Sequence, residues 1–225
     1  MSILPRARGV VLRPFRGPLE AAIVRQFHRV YYHYGSKTWS NTYWLGTQTQ
    51  KCPLDLWIYQ EILYELRPEA IVETGTASGG SALYLAGICD LLGTGRIVTV
   101  DVVDRERPRH ERITYLAGSS TEPEIAAQVA DLVGNTAPVL VILDSDHSRD
   151  HVREELRLYA PLVTSGSYLI VEDTNVNGHP VSPEFGPGPM EAVEEFLRED
   201  PEYSIDRERE KFLLTFNPRG FLRKR

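Results

Sequence analysis

From residue 53 onward, short runs of uninterrupted apolar residues alternate with helix-patterned segments, and most of the apolar runs end in an acid. Ala70-Ile71-Val72-Glu73, Arg96 to Asp101, Ile113 to Leu116, Pro138 to Asp144 and Ser167 to Asp173 read as strands of this kind. Helices are expected from Pro53 to about Leu66, Gly79 to Leu92, Pro123 to Val133, His151 to Tyr159 and Met190 to Leu197. Such alternation produces βαβ units and a mostly parallel sheet. Strands without polar interruptions require cover on both faces. Tyr203 to Ile205 and Phe212 to Phe216 complete the set as two further strands, the last suited to an edge hairpin. The predicted fold is therefore α/β and Rossmann-like, with a seven-stranded, mostly parallel sheet and helices on both faces.

Residues 1–50 lack this alternation. Pro5, Pro14, Gly17 and Pro18 punctuate the start, Leu19 to Tyr34 reads as a helix, and Trp39, Tyr43 and Trp44 follow. We assign 1–50 as an N-terminal, aromatic-rich arm and 51–225 as the main domain. The arm aromatics suit either the cap of a substrate pocket or packing against the domain or a partner. The 225 residues suffice for a core without staples. A net charge of −6 argues against a broad nucleic-acid face. The basic tail Arg219, Arg223, Lys224, Arg225 reads as solvated. Cys52 and Cys89 form no C-x-x-C pair and are expected as buried free thiols. With no signal-peptide pattern and no apolar run of membrane-spanning length, the expected location is cytoplasmic.

In an open α/β sheet, ligands bind beyond the carboxyl ends of the strands. The turns there form a set. Glu73-Thr74-Gly75-Thr76-Ala77-Ser78-Gly79-Gly80-Ser81 is a strand running through a Gly-rich loop into a helix. It matches neither G-x-G-x-x-G nor a Walker A loop. An acid followed by Gly-x-x-x-Gly suits the loop that meets S-adenosylmethionine (SAM), with Glu73 at the amino-acid end of the cofactor. A purely structural tight turn competes. Asp101, at the next strand end, is placed to accept ribose hydroxyls, or to cap a helix. Gly118-Ser119-Ser120 suits an adenine edge or a helix N-cap equally.

Asp144-Ser145-Asp146-His147 and Glu172-Asp173 follow two strands expected to be neighbours. Four carboxylates brought together would repel or stay protonated. A divalent cation resolves this, and oxygen donors without Cys point to Mg²⁺, with Mn²⁺ or Ca²⁺ also fitting. Separate helix caps are the competing reading. Arg149 and His151 read as exposed, and His28, His33 and His110 as structural. Asn175, Asn177 and His179 lie in a Gly/Pro-rich loop, 174–189, that suits a substrate-facing lid or a plain connector.

Over residues 40–217 the chain resembles the cephalosporin hydroxylase-like, or rhamnosyl O-methyltransferase-like, family of SAM-dependent methyltransferases. The resemblance is carried by Lys51-Cys52-Pro53-Leu54-Asp55-Leu56, by Val72-Glu73-Thr74-Gly75-Thr76 with Gly79-Gly80-Ser81, by Leu143-Asp144-Ser145-Asp146-His147-Ser148, and by Gly166 to Thr174, with Gly186-Pro187-Gly188-Pro189 also similar. It implies a class I methyltransferase fold, bound SAM, a carboxylate-held Mg²⁺ and homo-oligomers, in secondary-metabolite or antibiotic biosynthesis. By the same resemblance Asp146, Glu172 and Asp173 are metal ligands. Similarity to catechol-type enzymes puts Asp144 in that place instead, with His147 as the base, so both aspartates stand. The SAM-binding set implied is Glu73, Thr74, Gly75, Thr76, Ser78, Gly79, Ser81, Asp101, Ser119, Ser120 and Asp144.

The expected reaction is methyl transfer from SAM to a hydroxyl of a small sugar-containing or secondary-metabolite acceptor. A vicinal diol or catechol suits chelation by the metal, and His147 would act as general base. Two alternatives stand. One is an NAD(P)-linked oxidoreductase, opposed by the missing G-x-G-x-x-G. The other is a non-catalytic SAM-binding member assisting a hydroxylase, opposed by the complete acidic cluster.

Overall fold

A computed structural model describes residues 13–225. In chain order the elements are helix α1 (Arg13–His33), a short hairpin of β1 (Tyr43–Trp44) and β2 (Thr47–Gln48), α2 (Pro53–Leu66), β3 (Ala70–Thr74), α3 (Gly80–Leu92), β4 (Arg96–Asp101), β5 (Ile113–Ala117), α4 (Pro123–Val133), β6 (Val139–Leu143), α5 (Arg149–Tyr159), β7 (Tyr168–Val171), α6 (Pro189–Glu199), β8 (Tyr203–Ile205) and β9 (Phe221–Lys224). Residues 1–12, including the punctuation at Pro5, lie outside the described residues.

Seven strands form one sheet in the order β5-β4-β3-β6-β7-β9-β8. The central strands pair in parallel, and β9 runs antiparallel to both its neighbours. Because side chains alternate across a strand, each strand feeds two cores. Val72, Val98, Val141 and Leu169 pack with α4, α5 and α6, while Ile71, Ile97, Leu140 and Ile170 pack with α2 and α3. The uninterrupted apolar strands are thus covered on both faces, as their composition requires.

Local chemistry sets the helix ends. Pro53 occupies the first turn of α2, where its missing N–H costs nothing. That helix stops at Arg67 in the left-handed conformation, just before Pro68. Gly93, also left-handed, closes α3 by donating its N–H back to Asp90 O. Cys52 and Cys89 are both free and buried. Among the described residues, no helix is long and apolar enough to cross a membrane.

Two expectations at the C-terminus are corrected. Phe212 to Phe216 is not a strand. Leu213 has φ of +68°, which breaks an extended run, and Leu214 and Phe216 are buried against Cys52 and the arm residues Tyr31, Tyr32 and Trp39. An apolar run is equally satisfied by a sheet or by such a cluster. The seventh strand is β9, inside the tail that read as solvated. Arg223 lies over the Tyr168 ring, 5.8 Å from its centroid, and the Lys224 ammonium donates to Val163 O at 3.0 Å. Their long apolar stems cover the sheet edge while their charges find partners.

Candidate active site

Strand register builds the site. Thr74 pairs with Val100 and with Leu143, and Leu143 pairs with Val171. The residue after each therefore stands at one level along the carboxyl edge: Gly75, Asp101, Asp144 and Glu172. A cavity of about 510 Å³ opens over this edge. It runs from Gly118 and Ser120 beyond β5, past Asp101, Gly75 and Ala77, to Asp144, His147 and Asp173.

At the β3–β5 end the backbone does most of the shaping. Gly75 has φ of +85°, and a Cβ there would lie 1.8 Å from Asp144 O. Only glycine lets the β3 turn pass the end of β6. The Gly75 N–H donates to Val100 O at 2.8 Å, and Gly79, with φ of +82°, donates to Thr76 O at 2.8 Å. The Asp101 carboxylate accepts from the Ala77 N–H at 2.7 Å and the Val103 N–H at 2.8 Å. Asp101 thus holds the Gly-rich loop in place and also faces the cavity.

Three expected cofactor contacts lie deeper. Glu73 is buried, accepts from the Thr99 hydroxyl at 2.7 Å and does not line the cavity. Burial pushes its carboxyl up, opposed by the charge of Lys51 and by the Ser81 and Thr99 hydroxyls. Thr76 shares a 2.7 Å hydrogen bond with the same Thr99, and Thr74 Oγ1 accepts from the Asp144 N–H at 3.2 Å. These side chains brace the floor of the cavity. Ser81 reaches the wall, whereas Ser78 and Gly79 stay behind it. Ser119 turns to Thr121 at 2.9 Å, and Ser120 faces the cavity.

His151, expected as exposed, also lines the wall. Its Nε2 lies 3.1 Å from Ser120 Oγ and 2.9 Å from Ser145 Oγ, and the Ser145 hydroxyl donates to buried Glu155 at 2.6 Å. The Glu155 hydrogen bond and its charge raise the His151 pKa. This chain of polar groups binds the β5 turn to α5.

At the β6–β7 end the site is a charge network. Asp144, His147 and Asp173 offer ligand atoms within 4.8 Å of one another. His147 Nε2 stands 3.1 Å from Asp173 Oδ2. Burial pushes the Asp144 carboxyl up to about 6, aided by the charge of Asp173 and opposed by Lys51 and His147. Burial works against a charged His147, but Asp173, Asp144 and Glu172 outweigh it and raise its pKa.

The sequence reading missed the cation already present. Lys51 is buried, and its ammonium bonds both Asp144 Oδ2 and Glu172 Oε1, the latter at 2.5 Å. Tyr59 donates to the same Glu172 oxygen at 2.8 Å, and Asn217 Nδ2 donates to the Tyr59 hydroxyl at 3.0 Å. Lys51 therefore relieves part of the repulsion within the acidic cluster. If all three carboxylates are ionised and His147 is neutral, Asp144, Glu172, Asp173 and Lys51 together carry two negative charges, the complement of one divalent cation. Lys51 had a signal in sequence, a lone cation between an aromatic stretch and an apolar helix. Its partners lie 93 and 121 residues away, and no local spacing reveals them.

Asp146 stands apart from this group. Its Oδ1 accepts the Ser148 N–H at 2.8 Å, an Asx-type turn that starts α5. The loop 174–189 is pinned rather than free. Asn177 and His179 both bond Glu191 of α6, at 3.0 and 2.9 Å, and Asn175 is buried against His28 at 3.0 Å. Among these three, none lines the cavity. From the arm, Tyr32, Trp39, Thr49 and Gln50 do.

A family model described as Rhamnosyl O-methyltransferase/CmcI matches residues 36–225. The rhamnosyl O-methyltransferase of Mycobacterium tuberculosis (strain ATCC 25618 / H37Rv) is 44% identical over 209 residues, covering 89% of this chain and 84% of that protein. Its counterpart in Mycobacterium leprae (strain TN) is 40% identical over 222 residues, covering 95% and 93%. Among solved structures, CmcI with Mg and SAM superposes with a TM-score of 0.64 at 22% identity, over 83% of this chain and 77% of that one, a likeness of fold. The strand order, the aligned carboxyl edge and these matches agree: the chain belongs to the rhamnosyl O-methyltransferase/CmcI family.

Proposed function

We propose that this O-methyltransferase moves the methyl group of SAM to a hydroxyl of a sugar-bearing acceptor, with His147 as general base and a divalent cation at the acidic cluster. The observation that carries the reading is the single level of Gly75, Asp101, Asp144 and Glu172 along the sheet edge. The same cavity meets both a glycine-shaped loop and a net-negative cluster with a histidine.

The Gly75–Ser81 loop, Asp101 and Ser120 form the cofactor end. One Asp101 oxygen holds the loop through the Ala77 N–H and the other accepts the Val103 N–H, so the carboxylate is preset rather than mobile. Asp144 and Asp173, with Glu172 behind them, are the groups that would hold Mg²⁺, whose preference for carboxylate oxygens they fit. When bound, that ion supplies Lewis acidity that makes an acceptor hydroxyl easier to deprotonate. Asp146 lines the same cavity, but its Oδ1 holds its own turn and it lies outside the Asp144, His147 and Asp173 group, so this reading does not use it as a ligand.

The chain's own residues supply position and proton transfer. His147, held by Asp173, receives the hydroxyl proton on its imidazole. Lys51 favours the ionised forms of Asp144 and Glu172 against their burial and fixes both side chains, so the cluster is preorganised for the reaction. The sulfonium methyl group is attacked in line by the acceptor oxygen, the C–S bond breaks, and S-adenosylhomocysteine (SAH) leaves. Two names support a deoxyhexose acceptor, those of the mycobacterial relatives. A homo-oligomer in the cytoplasm is the setting proposed with this reading.

The test is incubation of purified protein with SAM, Mg²⁺ and methyl α-L-rhamnopyranoside, read by mass spectrometry. The expected product is the rhamnoside heavier by one methylene, absent with EDTA and with His147→Ala. A product formed at full rate by His147→Ala contradicts the assigned base. The absence of SAM turnover with any diol or glycoside contradicts the activity.

A further inference from the structure

The structure assigns the acceptor's sugar ring to a subsite contributed by the arm: an aromatic wall of Tyr32 and Trp39, with the Gln50 amide beside it. This rests on the proposed methyl transfer to a glycoside and names where the glycoside lies.

Three observations converge. First, the arm supplies part of the cavity wall, its Thr49 backbone lying against Gly80 of the glycine-rich loop. Tyr32, Trp39, Thr49 and Gln50 line it together with His147 and Asp173. The sheet order puts β7, and hence Asp173, on the side away from the β5 turn. Tyr32 and Trp39 pack on Phe216, and the adjacent Asn217 side chain accepts the Asp173 N–H at 3.1 Å, so the aromatic pair flanks the reacting end.

Second, the wall is preformed. The Tyr32 and Trp39 rings stack at 5.6 Å between centroids and 23° between planes. Both rest edge-on against Phe216, at 5.4 and 5.7 Å. The Trp39 indole N–H donates to Tyr32 O at 3.0 Å. Trp39 also lies close over Gly35, where a Cβ would meet indole Nε1 at 3.1 Å. Both aromatic side chains remain partly exposed. A rigid, half-exposed aromatic pair presents a flat apolar face at little entropic cost. The C–H face of a hexose matches it, and a 6-deoxyhexose adds a methyl group to that face.

Third, Gln50 is held in a strained backbone conformation, φ of +55°, directly before the buried Lys51. The Lys51 bonds to Asp144 and Glu172 fix that end of the segment. The Gln50 side chain is exposed to the cavity, and among the described residues no hydrogen bond engages its amide. A strained residue with an uncommitted amide beside a reactive cluster is placed to bind a ligand. An amide offers both a donor and an acceptor, which suits sugar hydroxyls.

The experiment is calorimetric titration of methyl α-L-rhamnopyranoside into SAH- and Mg²⁺-loaded protein, for wild type, Gln50→Ala, Trp39→Phe and Trp39→Leu. SAH affinity and thermal melting are measured on each. Wild type is expected to bind, Gln50→Ala to weaken binding about tenfold, and Trp39→Leu to weaken it further, with Trp39→Phe retaining most of it. SAH affinity is expected to stay within about twofold throughout. Undiminished rhamnoside binding by folded Gln50→Ala and Trp39→Leu overturns the subsite. So does a wild type that binds SAH but not the glycoside. Failure to bind SAH instead marks failure of the underlying methyltransferase reading.

Discussion

The two ends of the cavity are built on opposite plans. The end proposed for the cofactor is made by backbone: Gly75 slips past Asp144 O, Gly79 turns the chain into α3, and Asp101 ties down Ala77. Its parts come from residues 73–120 and are shaped by steric limits. The end proposed for the acceptor is made by side chains from distant segments. Tyr32, Trp39 and Gln50 of the arm side line the cavity with His147 and Asp173 of the sheet side, and Lys51 pairs with Asp144 and Glu172. The first end is limited by space at Gly75, whereas the second is set by how its charges pair.

Substitutions at the two ends should therefore fail differently. The largest effect is expected for His147→Ala, a fall in turnover of about 10²–10⁴-fold, the usual contribution of a general base. SAH affinity, measured by calorimetry, should barely change. If the same substitution weakened SAH binding instead, the two ends would not be separable.

Lys51→Met comes next. It strands Asp144 and Glu172 with no counter-charge, and removing one partner of a buried pair costs about 3–5 kcal/mol. Urea unfolding at neutral pH measures this. Excess Mg²⁺ should recover part of the loss in the variant and add less to wild type. Equal stability of variant and wild type without metal would mean that the charge balance drawn here is wrong.

Gly75→Ala tests the opposite end. A Cβ 1.8 Å from Asp144 O, at φ of +85°, forces the β3 turn away from β6. Left-handed strain alone costs about 1–3 kcal/mol. SAH affinity should drop with stability, in contrast to His147→Ala. An unchanged SAH affinity in a folded Gly75→Ala protein would remove the loop from the cofactor end.

The smallest effect concerns the seam between arm and sheet. Asp55 is buried in the first turn of α2 and accepts the Phe216 N–H at 2.8 Å. Burial pushes its carboxyl up to about 7 from an ordinary 3.8, against the hydrogen bonds from Thr215 and Phe216. The folded state thus holds a proton that the unfolded state releases. Stability from this group is intact below about pH 4, declines as pH rises, and is lost above about 7. Asp55→Asn should remove that slope and gain about 1 kcal/mol relative to wild type at pH 8. Parallel stability–pH curves for the two proteins would contradict the buried, proton-holding Asp55.

The contrast between the ends also explains what could be read from sequence. Strand ends and the Gly75–Ser81 loop are local patterns, so the sheet, its two-sided cover and the level of Asp101 and Asp144 were legible. The register that aligns them follows from the apolar runs themselves. Lys51, Gln50 and Tyr32 were not legible as site residues, because Lys51 pairs with acids 93 and 121 positions away and the other two face a cavity whose far wall comes from the sheet. Phe212 to Phe216 misled for a related reason. Its apolar character is used against Trp39 and Tyr32 rather than in the sheet. Glu73 lies in a motif that pointed to the cofactor, yet its side chain braces Thr99 beneath the floor. Position in a motif fixed the backbone there, and burial decided the role of the side chain.

The most direct test of the account is calorimetric titration of SAM into EDTA-treated protein, repeated with excess Mg²⁺. The account predicts SAM binding in both conditions, with methyl transfer to the rhamnoside only when Mg²⁺ is present. A folded protein that binds no SAM in either condition would contradict it.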